Sequence, residues 1–183
     1  MIPGPPEEVT PGRVLLAEYE QLKAEQKSRI ALRDNLIYAM LAATAAVIAA
    51  TIPSTSRTAL LLLLPPLSVL LGWTYLVNDE KISAIGQYIR GTLSPRLTAM
   101  VDQSDDVFGW EAAHRQDRRR VARKRLQLAV DLLAFCFGPA AALTVFWVNG
   151  HLTWPLLTVS LAESAGLVAL GVQITLYADL DRS

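Results

Sequence analysis

Four long apolar stretches alternate with charged segments along the chain, at residues 36–52, 58–77, 126–148 and 152–177. None of them holds more than one charged residue, and each is long enough for the roughly 17 to 25 helical residues that cross the apolar core of a bilayer. The pattern predicts an all-α, polytopic membrane protein with four transmembrane helices.

Two short links join these stretches in pairs. Residues 53–58 begin Pro-Ser-Thr-Ser and residues 149–151 contain Asn-Gly, and both compositions favour tight reversals. The sequence therefore predicts two transmembrane hairpins. The expected organisation is a cytoplasmic amphipathic helix, the first hairpin, a cytoplasmic helical linker, the second hairpin and a cytoplasmic tail, at 1–35, 36–77, 78–125, 126–177 and 178–183.

Basic residues indicate the orientation of these spans. Residues 1–35 contain five and residues 78–125 contain ten, whereas the two links contain Arg57 alone. Because segments rich in Lys and Arg stay in the cytoplasm, we expect a multi-pass protein of the inner (plasma) membrane with both termini cytoplasmic. Aromatic residues are expected at the inner and outer interfaces, respectively Tyr38, Trp73, Tyr75 and Tyr177, and Trp147 and Trp154.

Helices are also predicted outside the bilayer. Thr10-Pro11 is a favourable helix start, and no Gly or Pro occurs over 14–52, which predicts one long helix that enters the first span. We expect three helical pieces in the linker, over 79–92, from Ser94-Pro95, and from about residue 106 into the third span. Together these helices form a cytoplasmic collar that suits a protein partner.

Composition adds two constraints. Of the 183 residues 52% are hydrophobic, and 17 basic residues balance 17 acidic ones, yet the charges are segregated into a few blocks, which favours a bilayer as solvent. Cys136 is the single cysteine, so one chain cannot form an internal disulfide. The first residues lack a basic region followed by an apolar run, so a cleavable signal peptide is not expected.

Glu163 is the sharpest chemical feature. A rise of about 1.5 Å per residue from Leu152 places it roughly 16 Å into a core about 30 Å thick. An acid at that depth costs about 2.5 kcal/mol or more, so we expect it to face protein or water. Two interpretations stay open: a carboxyl on a pore or ion pathway, with the hydroxyls of Ser160 and Ser164 beside it, and a protonated carboxyl that locks helices together.

Asp131 lies a short way into the third span, with Gln127 one turn before it. Arg123, Lys124 or Arg125 can approach it from the membrane boundary, so we favour a structural ion pair or cap. On a conducting path, Asp131 and Gln127 would lie near the inner mouth. The face of Asp131 continues through residues suited to close helix contact, Ala134, Phe135, Gly138 and Ala142.

Two further patterns concern packing. Pro65 and Pro66 remove two amide donors and free the carbonyls of Leu61 and Leu62, which predicts a packing kink, with a gating hinge as the alternative. In the first span, alanines at three- and four-residue spacing provide a smooth face for another helix: Ala39, Ala42, Ala43, Ala46, Ala49 and Ala50.

A basic run with seven cations lies immediately before the third span, over 115–125. Such clusters attract anionic lipid headgroups, and the predicted contacts are Arg118, Arg119, Arg120, Arg123, Lys124 and Arg125. Phosphates of a nucleotide or nucleic acid are the alternative. The run lacks the interleaved aromatic residues of single-strand binders, so nucleic acid is not expected as a partner.

The sequence lacks the signatures of an enzyme. Glu111-x-x-His114 matches half of a di-metal helix motif, but His151 is the only other histidine and the motif has no second copy. No phosphate-cradling glycine loop, nucleophile elbow or Cys-His pair occurs. We predict no catalytic residue, no metal and no cofactor.

Three segments look like those of uncharacterised small multi-span bacterial membrane proteins, at 18–26 (EYEQLKAEQ), 73–81 (WTYLVNDEK) and 108–111 (FGWE). The layout of cytoplasmic helices beside apolar hairpins also resembles SLATT-type and four-span effectors of bacterial nucleotide-signalling immunity. That resemblance implies perforation of membranes. It rests on layout, so no site residues carry over.

These patterns together predict a homo-oligomeric integral membrane protein that forms an ion-conducting pore or channel, with Glu163 facing the path. The alternative is a non-catalytic membrane scaffold or sensor that recruits a partner through its cytoplasmic helices.

Overall fold

The computed structural model describes residues 10–53, 55–100, 120–150 and 152–180, and every regular element within these ranges is helical. The α-helices are α1 (Pro11–Thr51), α2 (Leu64–Tyr88), α3 (Ser94–Thr98), α4 (Arg120–Leu132), α5 (Gly138–Asn149) and α6 (Trp154–Leu180). Segments of other helical register adjoin them: a 3-10 helix over Thr55–Leu63 and π-helices over Ile89–Leu93 and Leu133–Phe137.

Four helical stretches are long and apolar enough to cross a membrane. They are Pro11–Thr51, Arg57–Thr98, Arg125–Asn149 and Trp154–Tyr177. The prediction of an all-helical chain with four long apolar helices is therefore confirmed.

The first helix begins where the sequence predicts. The carbonyl of Thr10 accepts the amides of Arg13 and Val14 at 3.0 and 3.3 Å, and Pro11 occupies a first-turn position that needs no amide donor. The helix then continues to Thr51 without interruption, because nothing in its interior removes a donor or loosens the backbone. The predicted long helix is confirmed.

Prolines explain where the helical register changes. The 3-10 segment and both π-helices each end two residues before a proline, namely Pro65, Pro95 and Pro139. Because proline has no N–H to offer the carbonyl four residues earlier, a regular α-helix cannot continue through it. The predicted interruption at Pro65 and Pro66 is present as a change from 3-10 to α-helix. The separate helix predicted from Ser94-Pro95 is not seen, because the helical stretch Arg57–Thr98 runs through Ser94 with only a change from π to α register.

The two links are short. The 3-10 helix begins at Thr55, so it takes up part of the predicted link 53–58. At the other link, the amide of Gly150 bonds to the carbonyl of Phe146 at 2.7 Å, and the next helix starts at Trp154.

The described residues divide into two compact units. The first unit draws on segments within Met1–Ala31 and Asp79–Asp117, and the second on segments within Leu32–Asn78 and Arg118–Ser183. In the first unit α1 pairs with the end of α2: the hydroxyl of Tyr88 donates to Glu18 at 2.7 Å, and the amide of Gln26 donates to the carbonyl of Ile82 at 3.4 Å. Later residues of α1 thus meet earlier residues of α2, so these segments run antiparallel.

The second unit holds the apolar core. Within it α5 packs against the 3-10 helix and α6, and α4 packs against α6. One apolar cluster includes Leu61, Leu64, Tyr75, Phe135 and Leu170, and a second consists of Leu62, Leu143, Phe146 and Leu167 with Val69 and Leu156 packed against it. From α1, the buried side chains are Leu36 and Met40.

Candidate functional site

The inward face of α6 carries a carboxylic acid. Buried and partly buried residues recur along this helix at four- and three-residue spacing: Leu156, Ser160, Glu163, Leu167, Leu170 and Ile174. This spacing defines one face of an α-helix, and its leucines and isoleucine belong to or pack against the two apolar clusters. Glu163 therefore lies on the same face as these core residues and is itself partly buried.

The carboxyl of Glu163 is not satisfied within the described chain. Its Oε2 atom is buried and has no hydrogen-bond partner there. The hydroxyls expected beside it bond elsewhere: Ser160 donates to the carbonyl of Leu157 at 2.9 Å, and Ser164 donates to the carbonyl of Ser160 at 2.7 Å. Ser160 also accepts the indole N–H of Trp147 at 3.0 Å, so it ties α6 to α5.

Asp131 has a different environment from Glu163. The hydroxyl of Tyr75 donates to its Oδ1 at 2.8 Å, and Nε2 of Gln127 lies 2.9 Å from the same oxygen and 2.7 Å from the Tyr75 hydroxyl. Asp131 and Tyr75 are both buried. We call these three residues the polar triad. Its bonds join α2 to α4.

A second polar contact joins α2 to the π-helix that follows α4. Ser68, which is fully buried, donates its hydroxyl to the backbone carbonyl of Phe135. The Phe135 ring packs against Tyr75 with 5.2 Å between ring centroids. Along the predicted contact face, Asp131, Phe135 and Ala142 are buried, whereas Ala134 and Gly138 are partly buried. A β-carbon at Gly138 would meet nothing within 4 Å, so the close helix contact predicted for this face is not present at its glycine.

Close approach of α2 and α6 occurs at glycines. A β-carbon at Gly72 would lie 2.8 Å from Cδ2 of Leu170, and one at Gly166 would lie 3.4 Å from Cγ2 of Val69. Later residues of α2 therefore meet later residues of α6, and the two helices run parallel.

The aromatic residues divide into two groups. Tyr38, Trp73, Trp147, Trp154 and Tyr177 are exposed on the chain, as side chains that reach an interface must be. Tyr75 is only 2% exposed, so its assignment to a lipid-facing belt is wrong. Sequence reasoning missed its role because its partners Asp131 and Gln127 lie more than fifty residues away along the chain.

The alanine face of α1 does not pack inside the described chain. Ala43 is partly buried, and the remaining members are exposed: Ala39, Ala42, Ala46, Ala49 and Ala50. The smooth face predicted from their spacing is thus available on the surface of a single copy.

The basic run is only partly described. Arg118 and Arg119 lie outside the described residues, and for Arg120, Arg123 and Lys124 only the helical backbone is described. Arg125 is exposed at the start of its apolar stretch. Glu111, His114 and His151 also lie outside the described ranges. Within those ranges no three His, Cys, Asp or Glu side chains gather as a metal site.

No protein family, curated protein or solved structure matches this chain. The function is therefore argued from the residues and their contacts.

Proposed function

We propose that this protein is a homo-oligomeric integral membrane protein that conducts ions along a pathway lined by Glu163. It resides in the inner (plasma) membrane with both termini and the segment 78–125 in the cytoplasm. Its role is non-enzymatic and needs no cofactor.

The contrast between the buried Asp131 and the partly buried Glu163 carries this proposal. An acid inside the bilayer costs about 2.5 kcal/mol or more, and a chain that needs it only for packing gains by supplying hydrogen-bond donors. Asp131 has such donors in Tyr75 and Gln127, whereas Oε2 of Glu163 has none in the described chain. A carboxyl left unsatisfied is able to bind a passing ion, so Glu163 is the better pathway residue.

Asp131 and Gln127 have a supporting role in this proposal. They lie near the inner mouth of the path, where the polar triad fixes α4 against α2. Ser164, which is partly buried and holds its hydroxyl on a backbone carbonyl of α6, lines the path next to Glu163 without bonding to it. Ser160 is fully buried and bonded to Leu157 and Trp147, so it supports this part of α6 from behind the path.

The exposed alanine face supports assembly from several copies. Small residues allow helix backbones to approach closely in lipid, where van der Waals contact drives association. This face is unoccupied in the single chain, as the exposure of Ala42, Ala46 and Ala49 shows. Four helices enclose little space, so a conducting path forms more easily between copies.

The first unit is the assembly or gating element of the proposed channel. Its pairing through Tyr88, Glu18 and Gln26 makes a helical surface in the cytoplasm that a protein partner can also contact. The basic cluster next to the third apolar helix binds anionic lipid headgroups and fixes the orientation.

A scaffold or sensor is the second candidate. The satisfied polar triad favours it, since a buried hydrogen-bond network of this kind serves to hold helices together. In that case Glu163 also has a packing role, and the first unit recruits the partner.

Ion currents through the purified protein distinguish these functions. We expect wild-type protein in planar bilayers to conduct, and Glu163→Gln to change the reversal potential in a salt gradient because the charge lining the path is removed. Glu20→Gln is the matched control, since it makes the same acid-to-amide change at an exposed residue of the first unit, and its selectivity should remain close to wild type. Absence of wild-type currents, or identical selectivity in Glu163→Gln, would favour the scaffold.

A further inference from the structure

We propose that Glu163 and the proline-interrupted start of α2 together bind a small monovalent cation. The inference deepens the proposed ion pathway, on which it rests, by naming the ligand and a second group that holds it. Four steps lead to it.

The packing register places Glu163 at the level of Pro65. Leu170 meets Gly72, and both α6 and α2 continue as regular α-helices for two turns towards their N-termini from that contact. Two turns before Leu170 is Glu163, and two turns before Gly72 is Pro65, each on the same face as its starting residue. Because the helices run parallel, these two positions face each other.

The same level of α2 has a backbone carbonyl without a helical donor. In an α-helix the carbonyl of Leu62 would accept the amide of Pro66, and in a 3-10 helix it would accept that of Pro65. Neither proline has an N–H. The register changes from 3-10 to α here, so the carbonyl of Leu62 has no backbone amide donor in either hydrogen-bonding pattern.

The free carbonyl points towards the level of Glu163. Helical carbonyls point along the axis towards the C-terminus, so that of Leu62 is directed at the turn containing Pro65. Leu62 itself is buried and belongs to the same apolar cluster as Leu167, one turn after Glu163. A carboxyl oxygen without a donor and a carbonyl without a helical donor therefore lie at the same level of the two packed helices.

The chemistry of this pair selects a small hard cation. Carboxylate and carbonyl oxygens are the ligands of such ions, and the described chain offers no cluster of three acids, histidines or cysteines for a transition metal. A single carboxylate neutralises one positive charge. A divalent ion would leave a net positive charge on an otherwise apolar helix face, which is costly away from water, so Na⁺ or another alkali ion is the expected ligand.

The test uses thermal unfolding of the full chain in detergent. N-methyl-D-glucamine, which is too large for the site, is replaced by Na⁺, Li⁺ or K⁺ at constant ionic strength. We expect the unfolding temperature of wild type to rise with at least one alkali ion and to saturate, because a ligand stabilises the state that binds it. Glu163→Gln should weaken the apparent affinity by about tenfold or more, and the same acid-to-amide change at the exposed Glu20 should leave it near wild type.

Pro66→Ala tests the carbonyl and remains informative if Glu163→Gln does not fold. It restores an amide that can occupy the carbonyl of Leu62, so we expect a weaker cation affinity with the carboxyl intact. The site would be overturned if the unfolding temperature of wild type did not depend on alkali ions, or if that of Glu163→Gln depended on them equally. It would also be overturned if Pro66→Ala kept the wild-type cation affinity, or if a lower pH, and not an alkali ion, stabilised the protein. Cation binding without bilayer currents would uphold the site and reject the conduction proposal, whereas currents without alkali binding would do the reverse.

Discussion

Pro139 removes the amide that an uninterrupted helix would bring to the carbonyl of Phe135. The chain replaces it with the hydroxyl of Ser68, which is donated from α2. The carbonyl that lacks a donor within its own helix thus forms a hydrogen bond to another helix. In an apolar environment this matters more than usual, because no water is at hand to satisfy the carbonyl.

We expect Ser68→Ala to destabilise the protein by about 1 kcal/mol, since the Phe135 carbonyl loses its donor. In a Pro139→Ala background, which restores the backbone amide, the cost of Ser68→Ala should fall well below that value. Equilibrium unfolding in mixed micelles measures both.

Ser164→Ala is the matched control for this cycle. Ser164 bonds to the carbonyl of Ser160 at 2.7 Å, but that carbonyl also has its own helical amide donor, so little stability should be lost. Additive effects of Ser68→Ala and Pro139→Ala would contradict the replacement of one donor by the other.

For single residues, the sequence identified which positions carry costly polar groups but not which side chains bond to them. Glu163 and Asp131 were recognised as costly acids from their depth alone, and the four-residue rule for prolines could have identified the free carbonyl of Phe135. Which side chain reaches that carbonyl depends on how α2 packs against the third apolar helix. No local pattern around Ser68 or Tyr75 contains that information.

At the scale of elements, the glycine contacts decide how closely α2 and α6 approach. Leu170 is 2% exposed and fills the space that a side chain at position 72 would occupy. Because Leu170 is confined on all sides, it cannot move aside without disturbing the cluster around Phe135.

Gly72→Leu should therefore destabilise the protein by about 1 to 3 kcal/mol through overpacking. Gly91→Leu is the control, since a β-carbon at that exposed helical glycine meets nothing within 4 Å. Unfolding in mixed micelles compares the two, and an equal loss at Gly91 would show that the cost is not due to helix packing.

Helix ends and interruptions were the more predictable part of the elements. Thr10-Pro11 marked the start of α1, and Pro65 and Pro66 marked the change within the second apolar helix. The two π-helices were not predicted. Each π-helix fits one residue more per turn than an α-helix just before Pro95 or Pro139. Whether a helix widens in this way depends on its packing against other helices.

At the scale of the whole molecule, the exposed alanine face of α1 bears on assembly. Each member is small, and the face is smooth enough for a second helix to approach. If copies associate there, bulk at its centre should separate them while the chain itself stays folded.

We expect Ala46→Leu to reduce the oligomer of detergent-solubilised protein, as measured by light scattering after size-exclusion chromatography. Ile48→Trp also adds bulk at an exposed position but lies about 160° away around the helix from Ala46, and it should leave the oligomer unchanged. A wild-type monomer, or equal loss in both variants, would refute association through this face.

The parallel course of α2 and α6 gives the molecule an inherent polarity. Gly72 meets Leu170 and Val69 meets Gly166, so both hairpins point the same way and neither is an upside-down version of the other. Any passage beside them opens through unlike mouths, and Glu163 is approached across different chemistry from each end. If the proposed channel conducts, rectification, with charge flowing more readily in one direction than in the other, is the expected consequence.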